Sequence, residues 1–230
     1  MFDVDIKTIN YIVTINYIVT MDFVVGSLVI IFGPMLSGKT TKALTILSEY
    51  IIPHSKNSKL SSDNICALVI NHSIDTRTNK WLSTHNPFLK IVDNHAHYIK
   101  TDNLSNIDIK PYSFILVDES QFFDTELYVV LDWVEKYHKH VIVSGLSGDY
   151  QRNKYGCILD LIPKADRCEQ LYAHCTMCIE ESSHYGRIGL TNAPFTHRRN
   201  QELNNQTVIG DSDKYEALCR YHYQLKNNFK

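Results

Sequence analysis

The chain has 230 residues, 44% of them hydrophobic and 21% charged, with a formal net charge of −2. That suffices for one α/β domain with a proper core and a small second module, and is too short for two full RecA-type lobes. The charge lacks the basic excess of a broad nucleic-acid footprint and gives no pull towards an anionic membrane, so neither nucleic acid nor membrane is expected as a partner.

Residues 1–26 read as a dispensable N-terminal extension, in which TINYIV at 8–13 is repeated at once at 14–19. A perfect duplication of β-branched hexads looks like a recent expansion, and Met21 just after it offers an alternative start. The sharper reading is an added edge strand used in assembly, since such segments are prone to pair. Asn10, Thr14, Asn16 and Asp22 interrupt the apolar run, which therefore cannot be a spanning helix. The stretch lacks a basic lead-in and a small-residue cleavage site, so a cytoplasmic location is expected. There the six cysteines, Cys66, Cys157, Cys168, Cys175, Cys178 and Cys219, are better read as metal or redox chemistry than as disulfides.

From Ser27 the pattern becomes regular. SLVIIF (27–32) predicts a buried parallel strand, and TKALTILSEYII (41–52) repeats apolar residues at helical spacing. After a polar loop at 53–64, ICALVI (65–70) and YSFILVD (112–118) predict a second and a third strand. A helix is expected over 126–140, with Lys and His in its last turn, followed by a fourth strand, HVIVSGL (140–146). Alternating strands and helices imply a parallel sheet covered on both faces. The 27–167 stretch is then a P-loop nucleotide-binding domain. Residues 168–230 hold four of the six cysteines, no long apolar run and a polar tract at 196–206, the composition of a small stapled module rather than a continued sheet.

Between the first strand and helix, GPMLSGKT (33–40) fits G-x-x-x-x-G-K-[ST] in the context that motif requires. Its glycines let backbone N–H groups turn inward to cradle phosphates at a helix N-terminus. Lys39 would meet the β/γ-phosphates and the Thr40 hydroxyl would ligate Mg²⁺. In ILVDESQFFD (115–124) a strand ends in Asp118, placed to reach Mg²⁺ through its water shell. Glu119 could accept the proton of an attacking hydroxyl, or orient water in an ATPase. DESQ also resembles the D-E-x-x box of helicases, so this motif alone does not choose between them.

CTMC (175–178) and CRYH (219–222) are two C-x-x-ligand pairs on separate tight turns. Cys175, Cys178, Cys219 and His222 suit a tetrahedral zinc with three thiolates and one imidazole. Redox use of CTMC is the weaker alternative, since it lies far from any thioredoxin-like strand–helix start.

Taken together, GPMLSGKT, DTR (75–77), TH (84–85), VDESQFF (117–123), GLSGDYQR (145–152), CTMC, VIGDSDKY (208–215) and CRYH resemble the type II thymidine kinases in family order over roughly 27–223. The resemblance implies a RecA-like P-loop core with a parallel sheet, a small zinc-ribbon-like domain carrying a lasso loop, and a homotetramer. It implies ATP and thymidine as partners, with Mg²⁺ and structural Zn²⁺. Carried over by position, Gly33, Pro34, Met35, Leu36, Ser37, Gly38, Lys39 and Thr40 would form the phosphate loop. Asp75, Thr76 and Arg77, with Asp118, Ser120 and Gln121, would lie near the phosphates, and Glu119 would take the proton of the 5′-hydroxyl. Phe122, Leu146 and Tyr150 would line the thymine pocket together with Met35. Gln206, Thr207, Val208, Ile209 and Gly210 would supply the lasso backbone, closed by Tyr215, and NAPFTHRRNQELNNQ (192–206) reads as an insertion lengthening that lasso. Two other classes compete on the residues alone: a RecA-type nucleic-acid motor, disfavoured by length and charge, and a zinc-dependent binding module that only senses nucleotide.

Overall fold

The computed structural model describes residues 25–56, 67–76, 95–184, 191–199, 210 and 212–227. The hexad repeat, Cys66, Arg77, Thr84, His85 and the segment from Gln206 to Ile209 lie outside the described residues.

Six parallel strands form the central sheet: β1 (Ser27–Gly33), β2 (Ala67–His72), β3 (Ala96–Thr101), β4 (Phe114–Val117), β5 (His140–Leu146) and β6 (Arg167–Gln170). Their order is β3-β2-β4-β5-β1-β6. The four apolar runs give the inner strands. The two outer strands, AHYIKT and RCEQ, lack such a run because each has a sheet neighbour on one side only and is partly exposed. Strand β6 pairs with Val29–Phe32 of β1, so the sheet continues to Gln170, past the composition change expected to end it.

Alternation along β1 explains the two cores. Val29 and Ile31 face helix α1 (Lys39–Lys56), where Ala43, Leu44, Ile46, Leu47 and Ile51 pack on Val69, Leu116 and Ile142. Leu28 and Ile30 face the opposite layer, where Leu68, Ile70, Val141 and Val143 meet Leu127, Val130, Trp133, Ile158 and Leu161. Each fully buried Val, Leu or Ile among them contributes about 1.5–3 kcal/mol. The helix expected over 126–140 is shorter. A 3₁₀ segment at Asp124–Tyr128 leads into helix α2 (Val129–Glu135), and the chain then turns through His138 in the left-handed region (φ 53°). Lys139 N–H closes that turn on the Trp133 carbonyl, so the basic last turn falls outside the helix and aims His140 into β5.

The C-terminal module is built from much smaller pieces. Strands β7 (Ala173–His174) and β8 (Asn192–Ala193) pair antiparallel, as do β9 (Phe195–Arg198) and β10 (Tyr215–Leu218). Helices α3 (Thr176–His184) and α4 (Arg220–Lys226) complete it around a core of Ala173, Cys175, Ala193, Ala217, Leu218, Cys219 and Tyr223. Residues 192–198, read from sequence as inserted lasso, are therefore two strands of this module. Polar composition concealed β9 because Thr196, His197 and Arg198 are buried through specific partners: the first two accept or share hydrogen bonds with Met35 and Glu216, and Arg198 bonds Tyr215.

Candidate active site

The functional motifs converge at the C-terminal ends of the parallel strands, where sheets of this type bind ligands. Strand β1 ends at Gly33 and the chain arches through Pro34–Ser37 before α1 begins at Lys39. Leu36 (φ 63°) and Gly38 (φ 79°) adopt left-handed backbone, which bends the loop back on itself. The buried Lys39 ammonium donates to the Pro34 carbonyl at 2.6 Å, and Ser37 Oγ donates to the same carbonyl at 2.9 Å. Lys39 is thus folded across the mouth of its own loop, beside the α1 N-terminus that favours anionic phosphate.

Thr40, one residue later, donates its hydroxyl to Asp118 Oδ2 at 2.8 Å. Burial, and then the charge of adjacent Glu119, push the Asp118 carboxyl above the usual carboxylate range, while the Thr40 hydroxyl opposes the shift. A divalent cation would reverse that balance by favouring the carboxylate. Asp75, past the end of β2, is also buried; Asn71 donates to its carboxylate at 3.2 Å, and Lys100 donates to its main-chain carbonyl at 2.7 Å. Thr76 beside it is exposed.

Glu119 takes a left-handed conformation (φ 50°, ψ 40°), uncommon for a residue with a side chain and a recurrent form of strain at functional sites. Gln121 Nε2 donates to its Oε2 at 2.6 Å, and Gln121 Oε1 accepts the Leu146 N–H at 2.9 Å. Ser120, between them, is fully buried. Asp118, Glu119 and Gln121 therefore share one buried turn leading out of β4.

Met35, Leu146 and Tyr215 form one apolar cluster, bringing the phosphate loop, the end of β5 and β10 of the C-terminal module together, with Tyr155 packed against it. The Phe122 ring lies 6.0 Å from Tyr155 and 5.8 Å from His72. Tyr150 is drawn to the same side by Arg198, whose guanidinium sits 3.9 Å over its ring and also bonds the Tyr215 hydroxyl at 3.3 Å. Of the expected pocket residues, Met35, Leu146 and Tyr215 are in mutual contact, whereas Phe122 and Tyr150 reach the group through Tyr155 and Arg198. Gly210 is the only described residue of the expected lasso backbone.

Three residues at this site carry no motif. Tyr155 lies five residues beyond Tyr150, a second aromatic on the same short loop, and that spacing was a usable signal. Thr196, whose hydroxyl accepts the Met35 N–H at 3.0 Å, and Arg198 sit in the polar tract and gave none.

The metal-type cluster assembles as its spacing suggests. Donor atoms of Cys175, Cys178, Cys219 and His222 all lie within 4.8 Å of one another. His222 Nδ1 stands 3.3 Å, 3.4 Å and 3.5 Å from the three sulfurs, and the Cys178 and Cys219 sulfurs are 3.9 Å apart. A tetrahedral ion with metal–sulfur bonds of about 2.3 Å and a metal–nitrogen bond of about 2.0–2.1 Å has sulfur–nitrogen edges near 3.6 Å and sulfur–sulfur edges near 3.8 Å. The donor set fits zinc. His222 Nε2 faces Glu181 at 3.0 Å, a carboxylate able to fix the tautomer that leaves Nδ1 for the metal. Glu181 is the partner sequence missed; it follows Cys178 by one turn of α3, and that spacing could have shown it.

No helix among the described residues is long and apolar enough to cross a membrane. Comparison with known proteins agrees with the geometry. The family model described as thymidine kinase matches residues 26–223. Similar proteins include the thymidine kinase of Amsacta moorei entomopoxvirus, 35% identical over 86% of this chain and 97% of that protein. The Oryza sativa thymidine kinase is 33% identical over 86% of this chain and 66% of its own length. The cytosolic thymidine kinase of Cricetulus griseus is 30% identical over 88% and 75% respectively.

Proposed function

The chain belongs to the thymidine kinase family, and from that premise we propose that it transfers the γ-phosphate of ATP to the 5′-hydroxyl of thymidine, giving dTMP for DNA synthesis. The observation that carries the residue assignment is Glu119: strained, bonded by Gln121 at 2.6 Å, and joined through Gln121 to the main chain of Leu146 in the apolar Met35–Leu146–Tyr215 cluster. The 5′-oxygen attacks the γ-phosphorus in line, the bond to the leaving ADP oxygen breaks, and the hydroxyl proton passes to the Glu119 carboxylate.

The loop from Gly33 to Thr40 would cradle the phosphates, with Lys39 leaving the Pro34 carbonyl to meet them, and Asp75 and Arg77 close by. Thr40 and Asp118, oxygen donors already in contact, would hold Mg²⁺, which neutralises charge on the phosphates. Met35, Phe122, Leu146, Tyr150 and Tyr215 would enclose the thymine, and main-chain groups of residues 206–210 would read its edge. Cys175, Cys178, Cys219 and His222 would hold a structural Zn²⁺ that ties both ends of the lasso to the C-terminal module that follows β6, apart from the nucleotide-binding domain and the 1–26 extension. A homotetramer, implied by the family resemblance, and a cytoplasmic location, in keeping with the relative named cytosolic, complete the proposal.

The test is purified protein with ATP and Mg²⁺ against a panel of nucleosides and DNA, scored for monophosphate. Thymidine-dependent dTMP is the expected product. ATP hydrolysis stimulated by DNA with no nucleoside monophosphate would overturn the reading in favour of a motor.

A further inference from the structure

Family resemblance places Gln121 near the phosphates, yet its amide is directed at the protein. Nε2 donates to Glu119 Oε2 at 2.6 Å, Oε1 accepts the Leu146 N–H at 2.9 Å, and the residue is only 2% exposed. Neighbouring backbone packs closely on the residue. A Cβ at Gly145 would come within 3.0 Å of Gln121 Oε1. A Cβ at Gly156, itself at φ 63°, would come within 2.6 Å of the Gln121 main-chain oxygen. Strand β5 and the loop that follows it thus carry glycine where they pack on Gln121, Gly145 beside its side chain and Gly156 against its main chain. Glu119, by contrast, leaves β4 through strained backbone that does not by itself fix the direction of a long carboxylate side chain.

We propose that Gln121 is a positioning residue: it holds the Glu119 carboxylate in its working orientation and links that orientation to the Leu146 wall of the nucleoside pocket. The inference rests on Glu119 being the base proposed above. One amide spans the two, donating to the carboxylate at one end and accepting from the pocket backbone at the other. A nucleoside that presses on Leu146 therefore also stiffens the base. Displacement of a reacting group by about 1 Å can cost on the order of 100-fold in rate.

Two variants separate the two ends of the amide. Gln121→Glu can still accept from Leu146 N–H but, when ionised, has no proton to donate to Glu119; Gln121→Met keeps the bulk and loses both bonds. Gln121→Glu should lower kcat by about 10- to 100-fold with KM for thymidine and ATP unchanged. Gln121→Met should lower kcat similarly and also raise KM for thymidine. A double-mutant cycle supplies the readout that a merely structural role would not give. Adding Gln121→Glu to Glu119→Gln should cause little further loss, because nothing remains to be oriented. Wild-type kcat in Gln121→Glu, or losses that multiply in the double variant, would overturn the proposal, and Gln121→Asn repeats the test should either variant fail to fold. Wild-type turnover in Glu119→Gln alone would instead remove the base assignment.

Discussion

Strand β1 buries Leu28, Val29, Ile30 and Ile31 against two helical layers, whereas β9 buries Thr196, His197 and Arg198 through hydrogen bonds and ring contacts. Both sets of side chains are buried, and the physics that keeps them so differs. Apolar burial is non-directional, so β1 tolerates exchange among similar side chains at modest cost. A buried polar strand depends on each partner, since an unsatisfied buried group costs about 1–3 kcal/mol. The sheet should therefore weaken by degrees, and the C-terminal module should fail at named contacts.

Removing a metal ligand gives the largest expected effect of that kind. Cys178→Ser should release zinc and destabilise the C-terminal module, whose other apolar core is small. Structural zinc supplies about 10–16 kcal/mol in isolated small sites, so the loss is far larger than that of one packing contact. Because β10 brings Tyr215 to Met35 and Leu146, thymidine binding should weaken more than ATP binding. Zinc stoichiometry with separate ATP and thymidine titrations measures this. Unchanged thymidine affinity in a zinc-free variant would show that the module does not organise the nucleoside site.

Next in size is Glu216→Ala. The carboxylate is 2% exposed and meets His197 at 3.0 Å, Arg199 at 3.4 Å and Lys226 at 3.7 Å. Arg199 and Lys226 are partly exposed and screened by water, so the main cost is the buried His197 ring left without its partner, about 1–3 kcal/mol. The unfolding transition of the C-terminal module should drop accordingly, followed by the loss of zinc on chelator challenge, while the sheet's transition stays in place. A variant as stable as the parent would mean that β9 is held by its neighbours and not by these contacts.

Lys39→Ala should cut phosphoryl transfer by about 10²–10³-fold, the usual cost of removing one preorganised electrostatic donor. Zinc content should be unchanged, since the ligands lie in the other module. Kinase assay and metal analysis on one sample decide it, and joint loss of both would mean that the fold had failed.

The same contrast marks what sequence could disclose. Continuous apolar runs announced β1, β2, β4 and β5, and the glycine spacing of 33–40 announced the phosphate loop. The cysteine pairs announced the metal-type cluster. Edge strands β3 and β6 were hidden by partial exposure, and β9 by polarity that only its partners explain. Gln121 sat inside a recognised motif, yet its direction towards Glu119 and Leu146 appears only once β4 and β5 lie side by side, with Gly145 leaving room beside its amide.

The central claim is that Glu119 accepts the proton of the thymidine 5′-hydroxyl. Replacing it by Gln keeps the shape, retains a hydrogen-bonding group opposite Gln121 and removes the base. The deciding measurement is single-turnover dTMP formation by Glu119→Gln, alongside equilibrium titrations of ATP and thymidine. Near-parental binding with a rate lowered by about 10²–10⁴-fold is the predicted result. Parental turnover in that variant would contradict the account.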